Sequence, residues 1–67
     1  MSEKTSAWNG LINILDNRMI DYRIASDSIY IHDVGYDQIS GIMDYVSKHR
    51  NYLTIRVNDF DVVVSYR

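Results

Sequence analysis

The chain has 67 residues, no cysteine and no proline, and its formal net charge is −2. A chain of this length buries only about 60% of its unfolded surface, which excludes a multidomain enzyme and predicts marginal stability for a monomer. A hydrophobic fraction of 46% and a charged fraction of 24% are typical of a folded domain, which we expect to span residues 1–67. The absence of cysteine excludes disulfides and thiol chemistry. The slightly negative net charge lacks the excess of lysine and arginine that is typical of proteins that bind duplex nucleic acid.

The first predicted element is a helix that begins at Ser6, because serine is a good N-cap residue. Asn17 marks its end, since asparagine tolerates the left-handed conformation that closes helices. Apolar residues follow the cap at helical spacing, namely Trp8, Leu11, Ile12, Leu15 and Met19.

A β-hairpin is predicted next. Apolar and polar residues alternate over residues 20–25 and 29–32, which is the period of a strand, and Ser26-Asp27 supplies the turn. The residues Val34-Gly35-Tyr36 then form a link that is too short to separate two domains.

The second half of the chain repeats this pattern. An offset of 31 residues places Gly10 on Gly41 and apolar positions on apolar positions. The second helix is therefore expected to begin at Asp37 and to end near Asn51. Strands over residues 52–57 and 60–67 follow, with Asn58-Asp59 as their turn. The pseudo-repeats are residues 6–34 and 37–67.

These elements predict an α+β domain with the order α-β-β-α-β-β. The economical architecture is a four-stranded antiparallel sheet with both helices on one face, and the pseudo-symmetry favours two hairpins that meet at the centre. The predicted core consists of Trp8, Leu11, Ile12, Leu15, Ile24, Ile29, Ile31, Ile39, Ile42, Met43, Val46, Leu53, Ile55, Phe60, Val62 and Val64.

The sheet face turned away from the helices is the predicted binding surface. By strand alternation it carries Arg23, Tyr30, His32, Tyr52, Thr54, Arg56 and Val63. We expect Tyr30, His32, Tyr52 and Arg56 to make the contact with a partner, and Arg23 and Val63 to lie at its rim. Tyrosine and arginine are enriched in protein-binding hot spots, and they also stack on bases and pair with phosphates. The same residues are good strand formers, so an ordinary solvated face has this composition too.

Self-association is a second expectation. Gly10 and Gly41 interrupt their helices at equivalent positions, and Ile14 and Tyr45 lie four residues further on. Such pairs allow close approach of another helix, from this chain or from a second chain. The exposed sheet edges are a further site of association, and the final strand from Phe60 to Tyr66 is expected to be the most adhesive segment. Pairing of such edges would give a homodimer.

No catalytic or metal-binding constellation is recognisable. His32 and His49 lie in different elements without ligand spacing, and the polar N-terminus indicates neither a secretory signal nor a membrane span. We therefore expect a cytoplasmic, non-enzymatic protein-binding module without cofactor or metal. Its size suits a regulator or inhibitor such as phages and mobile elements carry. Single-stranded nucleic-acid binding and a self-assembling structural role are the alternatives.

Overall fold

The computed structural model describes residues 2–58 and 61–67. The elements are α1 (Glu3–Asn17), β1 (Tyr22–Ala25), β2 (Ser28–Ile31), α2 (Tyr36–Lys48), β3 (Leu53–Asn58) and β4 (Asp61–Tyr66). The four strands form one antiparallel sheet. The predicted α+β class and the order α-β-β-α-β-β are confirmed.

The N-cap of helix α1 lies four residues before its predicted position. Ser2 is the N-cap, because its Oγ accepts a hydrogen bond from the Thr5 N–H at 3.1 Å. Ser6 therefore lies inside the helix, and its assignment as the cap was wrong. The helix ends at Asn17 as predicted, but the left-handed residue that follows is Met19, with φ 56°.

The helix α2 also begins earlier than predicted, after Gly35 rather than at Asp37. Asp37 lies in the first turn, where a carboxylate interacts favourably with the positive end of the helix dipole. The helix ends before His49, whose N–H bonds back to the Val46 carbonyl oxygen at 3.0 Å. This tightened turn stops the helix short of Asn51.

The two hairpins meet at the centre of the sheet, in the strand order β1-β2-β4-β3. This arrangement confirms the expectation from the pseudo-symmetry. Ser26 adopts a left-handed backbone, with φ 59°, and thereby reverses the chain between β1 and β2. The second predicted turn falls partly outside the described residues, since Asn58 is the last residue of β3 and Asp59 is not described.

The strand β4 is central, so its predicted role as an exposed adhesive edge was wrong. It pairs with β2 on one side and with β3 on the other. Val62, Val63 and Val64 are all buried. The exposed edges of the sheet are instead β1 and β3.

The core lies between the two helices and one face of the sheet. Its buried members are Ala7, Trp8, Leu11, Leu15, Ile20, Ile29, Ile31, Ile42, Val46, Leu53, Val62 and Val64. Ile24 and Met43 were expected there but are 48% and 49% exposed, because each lies at an outer flank of the molecule. Phe60 lies outside the described residues. Within the described chain, neither helix has the length and apolar character that crossing a membrane requires.

The two glycines of the helices contact different partners. The Tyr45 hydroxyl lies against Gly10 and donates a hydrogen bond to the Ala7 carbonyl oxygen at 2.8 Å. Partial burial raises the pKa of Tyr45. Gly41 faces the guanidinium of Arg18, an exposed residue at the end of α1. Gly10 therefore allows close contact between the two helices of one chain, with Ile14 half-buried one turn further along.

Candidate binding face of the sheet

One face of the sheet is turned away from both helices, and we call it the open face. The residues that alternate with the buried core positions point to this face. The strand registers place Arg23 opposite Tyr30, Tyr30 opposite Val63, and Val63 opposite Arg56. These four residues form a continuous row across all four strands, which we call the central row.

The centre of this row is packed rather than bare. The Arg23 guanidinium carbon lies 5.4 Å from the centroid of the Tyr30 ring, a cation–π contact. Val63 lies directly between Tyr30 and Arg56 and is only 2% exposed. Its predicted place at the rim of a contact surface was therefore wrong, because the neighbouring side chains cover it. The accessible groups of the row are the two guanidiniums and Tyr30.

Two side-chain pairs, one on each side of the central row, link the two central strands on the open face. His32 Nδ1 lies 2.9 Å from Asp61 Oδ1, and both side chains are more than one third exposed. At the other end of the same strand pair, Ser28 and Ser65 are joined through their hydroxyls at 2.8 Å. The structure therefore brings His32 close to the central row, but its ring is already engaged by a carboxylate.

Tyr52 does not belong to the open face, contrary to the alternation pattern. It precedes β3, in the turn where its N–H donates to the His49 carbonyl oxygen at 2.9 Å. Its side chain packs against the core, and its hydroxyl donates to the Glu3 carboxylate on α1. This hydrogen bond, together with the charge of Glu3, raises the pKa of Tyr52. The open face thus presents one tyrosine from the predicted pair.

Two surface features lie outside the sequence prediction. The first is a groove of about 410 Å³ between the start of α1 and the end of α2, lined in part by Glu3, His49 and Tyr52. The second is an apolar flank of α2, formed by Tyr36, Ile39 and Met43. The spacing of these three residues, at i, i+3 and i+7, is a sequence signal that indicates one helix face.

The described residues contain no group of three or more histidine, cysteine, aspartate or glutamate side chains placed to hold a metal ion. His32 and His49 lie in separate environments, the first beside Asp61 and the second stacked on Tyr45 with ring centroids 4.3 Å apart. Within the described residues, the open face offers hydrogen-bond donors, the guanidinium groups of Arg23 and Arg56, and the rings of Tyr30 and His32.

No protein-family model, curated protein or solved structure matches this chain.

Proposed function

We propose that the protein is a small, non-enzymatic protein-binding module that docks through the central row of the open face. The observation that carries this proposal is the alignment of Arg23, Tyr30 and Arg56 across a sheet face that neither helix covers. Arginine and tyrosine are the residue types that contribute most binding energy in interfaces when they lie near the centre of the contact.

The chemistry of the row defines the partner. Within the described residues, Lys48 pairs with Asp44 and His32 is hydrogen-bonded to Asp61, so these two carboxylates leave both guanidiniums of the row for an external group. Arg23 and Arg56 are separated by three strand spacings, which is about 14 Å between their backbones. Guanidinium pairs with carboxylate in a bidentate fashion. The expected partner therefore presents two acidic groups at this spacing, with an apolar and hydrogen-bonding surface between them for Tyr30.

Single-stranded nucleic acid is the alternative ligand for the same face. A base-stacking platform typically uses two or three aromatic rings. Among the described residues, the open face carries the ring of Tyr30 and the ring of His32, and the latter is bonded to Asp61. One side of the Tyr30 ring is already approached by Arg23, and Asp61 adds a negative charge beside the central row. These features favour a protein partner. A self-assembling structural role is the third possibility and predicts an oligomer without an external ligand.

The proposal extends to a cytoplasmic regulator or inhibitor, of a kind that phages and mobile elements carry. A chain of 67 residues that covers a surface on its partner can block or modulate that surface without chemistry of its own. The cysteine-free sequence is compatible with a reducing compartment.

The test is a capture experiment with matched variants. Tagged wild-type chain, the triple variant Arg23→Ala/Tyr30→Ala/Arg56→Ala and the control Thr54→Ala are exposed to cytosolic lysate with and without nuclease. Thr54 is the matched control because it is an exposed residue of the same face, outside the central row. We expect one protein to be retained by wild type and by the control after nuclease treatment, and to be lost by the triple variant.

The captured protein is then purified and titrated directly. Loss of a central hot spot weakens binding by at least about 30-fold, so each of Tyr30→Ala and Arg56→Ala should do so, while Thr54→Ala leaves the affinity within about twofold. Equal affinity of the triple variant and wild type would exclude the central row. A ligand that nuclease removes, with affinity that falls steeply with salt, would establish the nucleic-acid alternative instead.

A further inference from the structure

The free edge of β3 has backbone groups that are arranged for a further strand. The Tyr52 carbonyl oxygen accepts a hydrogen bond from the Arg67 N–H at 2.9 Å, so the Tyr52 C=O group is directed towards β4, while the Tyr52 N–H is donated to the His49 carbonyl oxygen. Because these directions alternate along an antiparallel strand, the N–H and C=O groups of Ile55 and Val57 are directed outwards. An edge of this kind is a template for pairing with another chain.

The surface beside this edge is apolar. Val57 is 64% exposed and Met43 of α2 is 49% exposed, and both lie on the helix side of the sheet. Met43 and Ile55 line one shallow groove of about 270 Å³ that runs along the edge. The apolar flank of α2 continues this surface through Ile39 to Tyr36, which is 90% exposed. An occupant of the edge would therefore cover apolar side chains at the same time.

We infer that a second copy of this chain occupies the β3 edge. The two copies pair antiparallel through β3 about a two-fold axis at Ile55, which joins the two sheets into one of eight strands. In this register Ile55 lies opposite Ile55 of the second copy, and Val57 lies opposite Leu53 of the second copy. About four new backbone hydrogen bonds form, because the Leu53 N–H is already donated to the His49 carbonyl oxygen.

Side-chain chemistry selects this register over its neighbours. An axis at Arg56 would place two guanidiniums directly opposite each other, which is destabilising. An axis between two residues would set a residue whose backbone groups are directed outwards opposite one whose groups are directed towards β4, so the ladder hydrogen bonds could not form. The axis at Ile55 instead places Arg56 opposite Thr54 of the second copy and brings the Met43 side chains of both copies to one side of the sheet.

The length of the two edges distinguishes β3 from β1. The strand β3 has six residues and β1 has four, so β3 provides the longer ladder. Six residues extend for about 20 Å, and the shortest principal extent of the molecule is 20 Å. The product of these two lengths gives a contact of the order of 400 Å² on each copy, which is below the roughly 800 Å² that each partner buries in a stable protein–protein interface of standard size. This area indicates a reversible dimer that depends on protein concentration.

Analytical ultracentrifugation of the full chain tests the inference. We expect the weight-average mass to rise from 7.9 kDa towards twice that value as the concentration increases from micromolar to millimolar. Val57→Lys should abolish the rise, because edge lysines oppose strand pairing. Ile24→Lys is the matched control, since Ile24 is an exposed apolar residue at the other edge. It should leave the rise unchanged, and far-UV circular dichroism checks that both variants are folded.

Disulfide cross-linking tests the register. The chain has no cysteine, so a single introduced thiol gives an unambiguous product. Directly opposed residues lie about 5.5 Å apart between Cα atoms, within reach of a disulfide, so Ile55→Cys should form a covalent dimer under mild oxidation. Arg56→Cys should not form a disulfide, because in this register the Cα atoms of the two copies of residue 56 lie more than about 7 Å apart, which is too far for a disulfide.

The inference is overturned if the wild-type chain is monomeric at millimolar concentration. It is also overturned if Ile24→Lys disrupts the dimer while Val57→Lys does not, because that result identifies the β1 edge. Cross-linking of Arg56→Cys in preference to Ile55→Cys would reject the proposed register. The mass measurements with Val57→Lys and Ile24→Lys change residues outside the central row, so we expect Tyr30→Ala, a variant of that row, to dimerise like wild type.

Discussion

Leu11→Ala should remove most of the free energy of unfolding at room temperature. Leu11 lies in the middle of α1 and is 0% exposed, between the helix and the sheet. Truncation of a fully buried leucine to alanine costs about 2–5 kcal/mol. A single core in a chain of this length rarely supplies more than about 3–5 kcal/mol of stability. The expected loss therefore equals most of the free energy of unfolding.

Chemical denaturation measures this loss directly. Trp8 is the single tryptophan of the chain and stacks on Tyr66, with ring centroids 4.4 Å apart, so its fluorescence reports on the core. Met19→Ala is the matched control, because Met19 is 91% exposed. The control should stay within about 0.5 kcal/mol of wild type. A Leu11→Ala chain with the wild-type denaturation midpoint would show that α1 does not pack on the sheet as described.

Gly10→Ala and Gly41→Ala should change stability in opposite directions, although the two glycines are equivalent in the sequence repeat. An added Cβ at Gly41 would meet the end of the Arg18 side chain, which is exposed and flexible and can move away. The variant then gains the helix propensity of alanine, worth about 0.5–1 kcal/mol. We expect the midpoint of thermal unfolding to rise by roughly 4 °C.

At Gly10 the added Cβ would meet the Tyr45 hydroxyl closer than the 3.0 Å that real Cβ atoms keep. The tyrosine ring is rigid, half-buried and fixed by its hydrogen bond to the Ala7 carbonyl oxygen. Loss of this hydrogen bond costs about 1 kcal/mol, and the forced displacement costs about 1–3 kcal/mol. Because both costs together outweigh the gain in helix propensity, Gly10→Ala should lose about 1–3 kcal/mol of stability.

A double-mutant cycle isolates this contact. Tyr45→Phe removes the clashing oxygen, and the next ring atom lies 3.3 Å from the added Cβ, so a small shift accommodates it. In the Tyr45→Phe background, Gly10→Ala should be nearly neutral, with a coupling energy of about 1 kcal/mol or more. If Gly10→Ala were stabilising in the wild-type background, the contact between Gly10 and Tyr45 would be absent in solution.

The elements of the fold follow from local patterns that the sequence displays. Alternation predicts the hairpins, and the helical spacing of Trp8, Leu11 and Leu15 predicts α1. The wrong prediction of β4 as an edge strand shows what local patterns cannot decide. Val62, Val63 and Val64 form a continuous apolar run, which suits a strand covered on both faces. The run is equally adhesive at an edge, and only the long-range pairing of β4 with both neighbours decides its position.

The candidate site was partly predictable. Arg23, Tyr30 and Arg56 belong to regular strands, so alternation assigns their face correctly. Tyr52 lies one residue before β3, where the alternation of side chains along a strand no longer applies. A hydrogen bond to the Glu3 carboxylate, from the other end of the sequence, determines the orientation of its side chain. Contacts between residues that are distant in sequence leave no local pattern. The placement of Tyr52 therefore required the tertiary structure.

The central seam of the sheet also sets the order in which the chain can assemble. Each hairpin closes a short loop, but the seam between β2 and β4 joins residues as distant as Ser28 and Ser65, 37 positions apart. Local loops form before such distant pairs, because loop closure is entropically costly. During synthesis from the N-terminus, β2 is itself an unpaired edge until β4 has emerged. The second edge of β2, which carries the buried residues Ile29 and Ile31, therefore has no partner strand until β4 pairs with it.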